Sequence, residues 1–409
     1  MAERGECGTP IRLARLIPAL GVAQIISWGT LYYAIAVLGE AMRGEVGISA
    51  TWLFGAFTVG LLASGIVSPA VGTLVDARGG RIVLSGGSIV GALSMATLAL
   101  ARDYGTLFIG WVLAGVAMGA CLYDPAFATL HQLTGASYRR AVTALTLFGG
   151  FASTVFWPLS QWLLDSIGWR GALWVYAALH LGVCLPLHAW FVPGRSRSTA
   201  LEEADIDEDG ATAGKEARAA HPAAGTAYYA LAGAFAAAAF LSATLSAHLI
   251  AQLQSAGLTA RDAVLVSSLI GPMQVAGRIA EFSFARRFSA LAFGGLAFGL
   301  MTAGLVSLAL VDGLSAMAFT FAVLYGWSNG IMTIVRGTVP ALLFGRRNYG
   351  ALLGRLALPA FLAKAVAPVA FTIVLAGGLP RASALWFLVA VSLAALIAYR
   401  LAVRPPRRV

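Results

Sequence analysis

The chain has 409 residues, of which 59% are hydrophobic and only 11% charged, and its formal net charge is +10. A soluble globular protein carries about 25% charged residues, and so few polar side chains could not cover the surface of a soluble core. The composition therefore excludes a soluble enzyme or binding module and predicts a membrane protein. The basic residues lie in short breaks between apolar segments, so the net charge does not indicate a nucleic-acid partner.

Twelve apolar segments are long enough to cross a bilayer, since a transmembrane helix needs about 20 mostly apolar residues. In chain order they lie near residues 17–39, 51–73, 82–101, 105–131, 141–164, 171–192, 226–253, 263–284, 289–311, 315–343, 350–376 and 380–401. The long polar interruption at 193–225 contains a cluster of acidic residues, so we expect a flexible linker there. The sequence thus predicts an all-α membrane protein with 12 transmembrane helices: six over 1–192, the linker at 193–225, and six over 226–409.

The breaks between these segments alternate in charge. Breaks on the side of the N-terminus hold 19 Lys and Arg residues, and the opposite breaks hold 5. Because short loops rich in Lys and Arg stay in the cytoplasm, both termini and the linker are predicted to be cytoplasmic. We expect an integral, multi-pass protein of the plasma (inner) membrane.

The first cytoplasmic break, residues 72–81, reads GTLVDARGGR. It resembles the loop motif of the major facilitator superfamily, Gly-x-x-x-Asp-Arg/Lys-x-Gly-Arg/Lys-Arg/Lys. The residues that match are Gly72, Asp76, Gly79 and Arg81, whereas Ala77 and Gly80 stand where the family usually has a base. Gly72 would let two helices approach closely, and Asp76 would pair with bases or with a helix N-terminus to latch the cytoplasmic face.

Two weaker resemblances to the same family extend along the chain. One is DSIGWR at 165–170, between segments five and six, and the other covers 248–263 at the end of the seventh segment. The resemblance implies two six-helix bundles related by pseudo-symmetry, with a cavity between them lined mainly by helices 1, 4, 7 and 10. It also implies alternating access, in which one bundle rocks against the other.

Six charged residues fall inside the apolar segments, away from their terminal residues: Asp124, Arg278, Glu281, Arg336, Arg355 and Lys364. A charge at membrane depth costs at least about 2.5–3.5 kcal/mol, so it normally faces a partner or a water-filled cavity. These residues are therefore the first candidates for function. Arg355 lies near the cytoplasmic start of its segment, which favours snorkelling or latching. Lys364 is either a substrate contact or a lysine paired in the core.

Arg278 allows two alignments with the loop motif. One repeats the spacing of the motif's glycine and aspartate with Gly277 and Glu281, which makes Arg278 part of a second-half latch. The other puts Phe282 in the glycine position, one turn after Arg278. In that alignment Arg278 resembles the helix-8 arginine of monocarboxylate carriers, which binds the substrate carboxylate, and Gln274 stands where those carriers have an aspartate. We favour a substrate or gating role for Arg278 over a pure latch role.

The tenth segment carries Asn329 and Arg336 on one helical face, which the resemblance places against the cavity. In the tenth segment Arg336 follows a pair of glycines at 326 and 330. In the fourth segment Asp124 follows a pair of glycines at 115 and 119 at a similar distance. If the halves are related by symmetry, Asp124 and Arg336 face each other and form an ionic pair that opens and closes with transport. Alternatively, Asp124 is satisfied within its own half by neighbouring tyrosine or arginine side chains.

Uncharged polar groups complete the candidate set for substrate contact or gating. Gln24 and Tyr32 lie on the first segment and His248 lies on the seventh, both of which the resemblance assigns to the cavity. Taken singly, such a residue is more often part of a helix interface than a ligand-binding group. Together with Gln274, Asn329 and the intramembrane charges, these residues are the predicted site.

The sequence contains no nucleotide-binding loop, metalloprotease motif or nucleophile elbow, so no catalytic, cofactor or metal site is predicted and the chain is not expected to be an enzyme. Four second-half cations outnumber two acids, which favours an anionic cargo. The sequence therefore predicts a monomeric secondary active transporter in the lipid bilayer, moving a small organic anion such as a carboxylate with a proton or another coupling ion. The alternatives are a drug or metalloid efflux permease that works by proton antiport and a non-transporting membrane sensor.

Overall fold

The computed structural model describes residues 9–194, 225–345, 348–376 and 380–404, and every regular element in these ranges is helical. The chain divides into two compact units. The first lies within Met1–Asp209 and Arg346–Arg355, and the second within Gly210–Gly345 and Leu356–Val409. The predicted linker lies outside the described residues except at its two ends.

The first half of the described chain forms α-helices whose backbone groups are satisfied internally, as a lipid environment requires. They are α1 (Thr9–Ser27), α2 (Ala34–Val46), α3 (Ala50–Arg78), α4 (Gly80–Leu100), α5 (Tyr104–Cys121), α6 (Tyr123–Thr134), α7 (Tyr138–Gly150) and α8 (Ala152–Leu179). π-Helical turns extend α1 over Trp28–Tyr33 and continue α8 over His180–Cys184 and Leu187–Phe191. A 3-10 turn, Gly135–Ser137, joins α6 to α7.

The second half has longer and less interrupted helices. They are α9 (Thr226–Gln254), α10 (Ala260–Phe284), α11 (Ala290–Ala309), α12 (Ala316–Phe344), α13 (Tyr349–Ala376) and α14 (Arg381–Ala402). The first turns of α13, through residue 355, belong to the first compact unit, and the rest of α13 belongs to the second.

Ten helical stretches in the described residues are long and apolar enough to cross a membrane. Each predicted segment falls within one of them to within two residues, and segments four to six all fall in one stretch of 88 residues, Tyr104–Phe191. A helix rises about 1.5 Å per residue and the hydrocarbon core is about 30 Å thick, so this stretch is too long for one crossing. It is interrupted at Leu122, at Gly135–Ser137 and at Gly168, whose φ of +72° favours glycine.

The fourth predicted segment is not one continuous helix, because it breaks at Leu122 between α5 and α6. Leu122 has an extended backbone, with φ −81° and ψ −157°. Pro125 has no backbone N–H, so it cannot donate to the Cys121 carbonyl four residues earlier. Gln24 of α1 takes over that role, since its Nε2 donates to the Cys121 carbonyl at 2.7 Å.

Polar side chains cap several helices at their first turn. The Ser49 hydroxyl accepts a hydrogen bond from the Trp52 amide at 3.3 Å, and the Asp103 carboxylate accepts one from the Thr106 amide at 2.9 Å. The Thr106 amide and hydroxyl together hold the pKa of the Asp103 carboxyl below its usual value. These caps satisfy amides that have no partner inside the helix.

In each unit two helices cross at glycines with direct backbone contact. A Cβ on Gly115 of α5 would overlap the carbonyl oxygen of Gly60 on α3. A Cβ on Gly330 of α12 would overlap the carbonyl oxygen of Gln274 on α10. The small-residue pairs seen in the sequence therefore serve close helix packing.

One arginine ties helix ends together in the first unit. The Arg170 Nη2 donates to the Ala101 carbonyl at 2.7 Å and lies 3.2 Å from Glu45 Oε1, while its guanidinium stacks 4.0 Å above the Trp169 ring. The Trp169 indole also donates to Glu45 Oε2 at 2.6 Å. The GWR stretch that resembles a family pattern thus joins the ends of α2 and α4 to the kink of α8 at Gly168.

Arg381, at the start of α14, joins helix ends in the second unit. Its Nε donates to the Gln252 carbonyl at 3.1 Å, and its Nη1 and Nη2 donate to the Val311 and Leu308 carbonyls at 3.4 Å each. A cation at the C-terminal ends of helices is favoured by the helix dipole.

Candidate functional site

The carboxylate of Asp76, near the end of α3, binds the start of α13 within the first unit. Its Oδ1 accepts a hydrogen bond from the Gly350 amide at 2.9 Å, and its Oδ2 accepts one from the Ala351 amide at 2.7 Å. The first amides of a helix lack intrahelical partners, and the helix dipole favours a negative charge there. We call this pair of hydrogen bonds the latch contact. Arg81, the last residue of the motif, is exposed.

The glycines of the motif are required by close contacts and backbone conformation. A Cβ on Gly72 would overlap the Gly350 carbonyl oxygen, so α3 and the start of α13 touch through their backbones. Gly79 has a φ of +81°. A Cβ on Gly80 would overlap the Thr129 Oγ1. This lack of space explains why the chain has glycine at a position where the family usually has a basic residue.

Three buried side chains that belong to none of the sequence motifs lie beside the latch contact. The Tyr138 hydroxyl donates to the Tyr349 hydroxyl at 3.1 Å. The His131 ring stacks on the Tyr349 ring with centroids 4.1 Å apart and meets the Tyr138 ring edge-on at 4.9 Å. The Asp124 carboxylate lies within electrostatic range of both tyrosines. No motif marks this group, because only the packing of α6, α7 and the start of α13 brings it together.

The first-half candidates lie around the break between α5 and α6. Gln24 is fully buried and holds that break, and its Oε1 has no hydrogen-bond partner within the described part of the chain. Asp124 is half-buried in the first turn of α6, where the helix dipole favours a carboxylate. The ionic pair of Asp124 with Arg336, a residue of the second unit, stays a prediction.

Tyr32 belongs to an aromatic group on the π-helical turn that follows α1. The Trp28 ring lies 5.4 Å from the Tyr32 ring, 6.2 Å from the Tyr33 ring and 5.2 Å from the Tyr123 ring. A π-helix has more residues per turn than an α-helix, which brings 28, 32 and 33 to one side of the turn. The Trp28 indole N–H is buried and has no acceptor among the described residues.

The second unit buries two opposite charges three residues apart on α10. Arg278 is 5% exposed and Glu281 is 1% exposed, and no other Asp, Glu, Lys or Arg of the described chain is buried to this degree. The Nε and Nη1 of Arg278 have no hydrogen-bond partner in the described residues. Buried charges normally have partners, so these two donors make Arg278 a candidate contact for an anion.

The glycine crossings favour one of the two alignments of Arg278 with the loop motif. Gly115 and Gly119 of α5 face the Gly60 and Ser64 carbonyls of α3, whereas Gly326 and Gly330 of α12 face the Ile270 and Gln274 carbonyls of α10. A shift of 210 residues therefore relates α3 to α10 through these contacts. The same shift places Phe282 at the position of Gly72, which supports the alignment in which Arg278 lies one turn before the motif position.

The remaining second-half candidates are half-buried: Asn329, Arg336, Lys364 and His248. The His248 Nε2 lies 3.1 Å from the Pro368 carbonyl oxygen, so this nitrogen carries the proton and donates to it. Gln274 contributes its backbone to the crossing with α12. Within the described ranges, no three His, Cys, Asp or Glu side chains are arranged to hold a metal ion.

Long apolar helices with a few buried charges and tight glycine crossings define an integral, multi-pass membrane protein. A family model described as Major Facilitator Superfamily matches residues 20–281. The chain belongs to this superfamily, which confirms the resemblance found in the loop motif. The family and the relatives that the chain matches are transporters, not enzymes.

Comparison with curated proteins gives partial matches. The chain is 30% identical over 170 residues to monocarboxylate transporter 13 of Rattus norvegicus, which covers 41% of this chain and 38% of the rat protein. It is 37% identical over 120 residues to monocarboxylate transporter 11 of Mus musculus, covering 28% of this chain and 26% of the mouse protein. The matches thus span well under half the length of these curated relatives.

Comparison with solved structures covers nearly the whole chain. The E. coli fucose:proton symporter FucP matches with a TM-score of 0.70 over 97% of this chain and 99% of that chain, at 13% sequence identity. At this identity the likeness shows that the two proteins share a fold.

Proposed function

We propose that the protein is a secondary active transporter that moves a small organic anion, a carboxylate, across the membrane by alternating access. The observation that carries the proposal is the buried guanidinium of Arg278, whose Nε and Nη1 have no partner among the described residues. An arginine at membrane depth is costly unless it is paired, and a carboxylate matches the guanidinium in charge and in hydrogen-bond geometry. A bound carboxylate would supply the missing acceptors.

The relatives support the same class of substrate. The stretches that match this chain come from proteins named as monocarboxylate transporters. The half-buried cations Arg336 and Lys364 would add positive potential for an anion, and Asn329 and His248 would contact or gate it. In this proposal Asp124 forms the opening and closing ion pair with Arg336, as predicted from the sequence.

The proposed topology has twelve crossings. It divides the stretch Tyr104–Phe191 into three, at Gly135–Ser137 and at Gly168, and counts the other nine stretches once each. With 19 basic residues in the breaks on one side against 5 on the other, both termini face the cytoplasm of a plasma (inner) membrane protein. The domain limits remain those predicted, 1–192 and 226–409, and the protein would act as a monomer.

The latch contact is proposed to hold one state of the transport cycle. Asp76 binds the two amides that open α13, and Gly72 allows the backbones to meet. Breaking these hydrogen bonds would free the first turns of α13 and permit the change of access. The rate of this step would then depend on the charge of Asp76.

Uptake of labelled pyruvate, lactate and benzoate into proteoliposomes tests the proposal. Arg278→Gln removes the charge but keeps a long polar side chain, and we expect carboxylate uptake to fall about 10–100-fold, since hydrogen bonds to charged groups contribute about 1.5–3 kcal/mol each. Arg261→Gln is the matched control, because Arg261 is an exposed arginine at the start of the same helix. Wild-type uptake by Arg278→Gln, or no carboxylate uptake by the wild type, would contradict the proposal.

A second function is favoured by the aromatic group around Trp28. These rings lie near the half-buried Asp124, an arrangement suited to proton-coupled efflux of an apolar compound, such as a drug. It predicts that Asp124→Asn abolishes efflux of an aromatic dye while carboxylates are not transported. A non-transporting sensor predicts flux of neither class.

A further inference from the structure

The π-helical turn Trp28–Tyr33 that follows α1 has two unlike sides. Residues 29–31 are buried, whereas the aromatic side chains before and after them, Trp28, Tyr32 and Tyr33, are half-buried. We call these three side chains the aromatic surface. The turn contains no Asp, Glu, Lys or Arg. A partly open, uncharged group of rings suits the apolar part of a small molecule, because ligand sites are lined mainly by hydrophobic and aromatic side chains.

The Trp28 indole N–H adds a polar requirement to the aromatic surface. This N–H is buried and has no acceptor among the described residues, although the Tyr32 ring lies 5.4 Å and the Tyr123 ring 5.2 Å from the Trp28 ring. Buried donors are normally hydrogen-bonded, so an acceptor is expected here. A lipid chain could cover the rings but has no acceptor, whereas a solute whose ring carries an oxygen supplies both contacts.

We propose that the aromatic surface binds the ring of an aromatic carboxylate and that the Trp28 indole donates a hydrogen bond to an oxygen on that ring. The inference rests on the proposed function and names its substrate class: aryl carboxylates with a hydroxyl or ether oxygen on the ring, in preference to short-chain acids such as pyruvate. Edge-to-face and offset contacts between aromatic rings are stabilising beyond the area that they bury. Trp28, Tyr32 and Tyr33 are therefore specificity-determining residues.

Two positioning residues hold the turn from its buried side. The Thr30 hydroxyl donates to the Ile26 carbonyl at 2.8 Å, so its oxygen accepts the hydrogen bond from His180 Nε2, also at 2.8 Å. His180 is fully buried and begins a second π-helical turn, His180–Cys184. π-Helical turns are rare and occur frequently at functional sites. Thr30 and His180 do not touch the substrate; they fix the turn that presents Trp28.

The π-helical form of the turn decides which rings lie together. In an α-helix residues four apart share a face, so Trp28 would lie beside Tyr32 but not beside Tyr33. The wider turn also brings Tyr33 to Trp28, with 6.2 Å between the ring centroids. We expect loss of the hydrogen bond between His180 and Thr30 to let the turn relax toward an α-helix and to separate Trp28 from Tyr33.

Uptake by proteoliposomes tests the contact of Trp28 with pairs of labelled substrates. A methoxybenzoate and the ethylbenzoate of the same ring position have nearly the same shape, but only the first has an acceptor on its ring. At the best ring position we expect the wild type to have an about fivefold lower KM for the methoxybenzoate, as one neutral hydrogen bond gives. Trp28→Phe keeps a ring and removes the N–H, so this preference should disappear. Trp111→Phe is the matched control, because the Trp111 N–H also lacks an acceptor among the described residues but its side chain is 1% exposed.

The positioning role of Thr30 and His180 is tested by comparing benzoate with pyruvate. Thr30→Val removes the hydroxyl, and we expect it to raise the KM for benzoate about fivefold more than the KM for pyruvate, because contacts with the displaced rings are lost. Thr30→Ser keeps a hydroxyl and should restore the wild-type ratio. His188→Leu is the control, since His188 is as buried as His180 but bonds to Ser88 of α4. Loss of folded protein alone would lower uptake of both substrates and leave both KM values unchanged.

The outcomes separate this inference from the proposed function. A Trp28→Phe protein that keeps the wild-type preference overturns the inference, as does a wild type that moves carboxylates without preferring any methoxybenzoate to its ethylbenzoate. In both cases the proposed function stands. A Thr30→Val protein that raises both KM values equally overturns the positioning role of Thr30 and His180. A wild type that moves no carboxylate overturns the inference and the proposed function together.

Discussion

In the first compact unit α5 crosses α3 where Gly115 meets Gly60, and in the second α12 crosses α10 where Gly330 meets Gln274. A shift of 211 residues relates Gly119 to Gly330, and the same shift relates the two arginines that tie helix ends, Arg170 and Arg381. The contacts that hold the helices of each unit together are therefore repeated. This repetition is what the duplication of one helical unit would leave.

The polar groups inside the two units are not repeated. The first unit buries neutral groups, such as His180 hydrogen-bonded to Thr30 and Gln24 at the helix break. The second unit buries Arg278 and Glu281. Packing contacts are shared by both halves because each half must satisfy the same helix geometry, whereas the buried charges are free to differ. In the proposed function, the charge that would meet the substrate is therefore Arg278, in the second unit.

The largest effect is expected at the glycine crossings. Gly115→Ala and Gly330→Ala each push a Cβ into a backbone carbonyl that cannot turn away, so we expect each to lower stability by about 3 kcal/mol or more. Thermal unfolding in detergent measures the loss. Gly86→Ala and Gly299→Ala are matched controls in helices α4 and α11, because no atom lies near their added Cβ. A loss at Gly115 without a loss at Gly330 would show that the two helix crossings are not equally tight.

The two arginines provide a finer comparison. Arg381 donates to three carbonyls, so Arg381→Gln should lower stability by about 2 kcal/mol. Arg381→Lys should lower stability as much, because one ammonium group cannot replace the several donors of a planar guanidinium. Arg170→Gln should lose less, about 1 kcal/mol, because its partner Glu45 is half exposed and such ion pairs contribute little. Thermal unfolding of the three variants would show the order. A larger loss at Arg170 would contradict it.

Much of this repeat was accessible from the sequence. Hydropathy predicts the helical segments, because a long apolar run has few other stable structures in lipid. The loop motif predicts the family and a helix N-terminus as a partner of Asp76. The small-residue pairs also indicated the crossings. The number of crossings stays a prediction, because the described stretch Tyr104–Phe191 merges three predicted segments.

Other features depend on packing that no local pattern specifies. Hydropathy alone does not predict the break at Leu122, although Pro125, which has no backbone N–H, is a local sign of it. His131 and Tyr349 lie far apart in the chain and meet only after α13 packs against α6. The sequence spacing around Arg278 fits two registers, and the contacts between α10 and α12 favour one of them.

The latch contact exists in the first unit, and hydrogen exchange at its amides can test it without a known substrate. Asp76→Asn keeps the shape but can accept at one oxygen only, and we expect the Gly350 and Ala351 amides to exchange about 10–30-fold faster, equivalent to about 1.4–2 kcal/mol. Asp103→Asn is the control, because that carboxylate caps a different helix. Unchanged exchange in Asp76→Asn would show that Asp76 does not hold α13.

The smallest effect is expected from the tyrosine pair beside the latch contact. Tyr138→Phe removes the hydroxyl that donates to Tyr349, and a neutral hydrogen bond contributes about 1 kcal/mol, roughly half as much as a charge-assisted one. The Gly350 amide should therefore exchange about fivefold faster, less than in Asp76→Asn. The double variant decides how the two contacts cooperate. Additive effects mean that each holds the first turn of α13 independently, whereas a smaller combined effect means that losing either one already releases the turn.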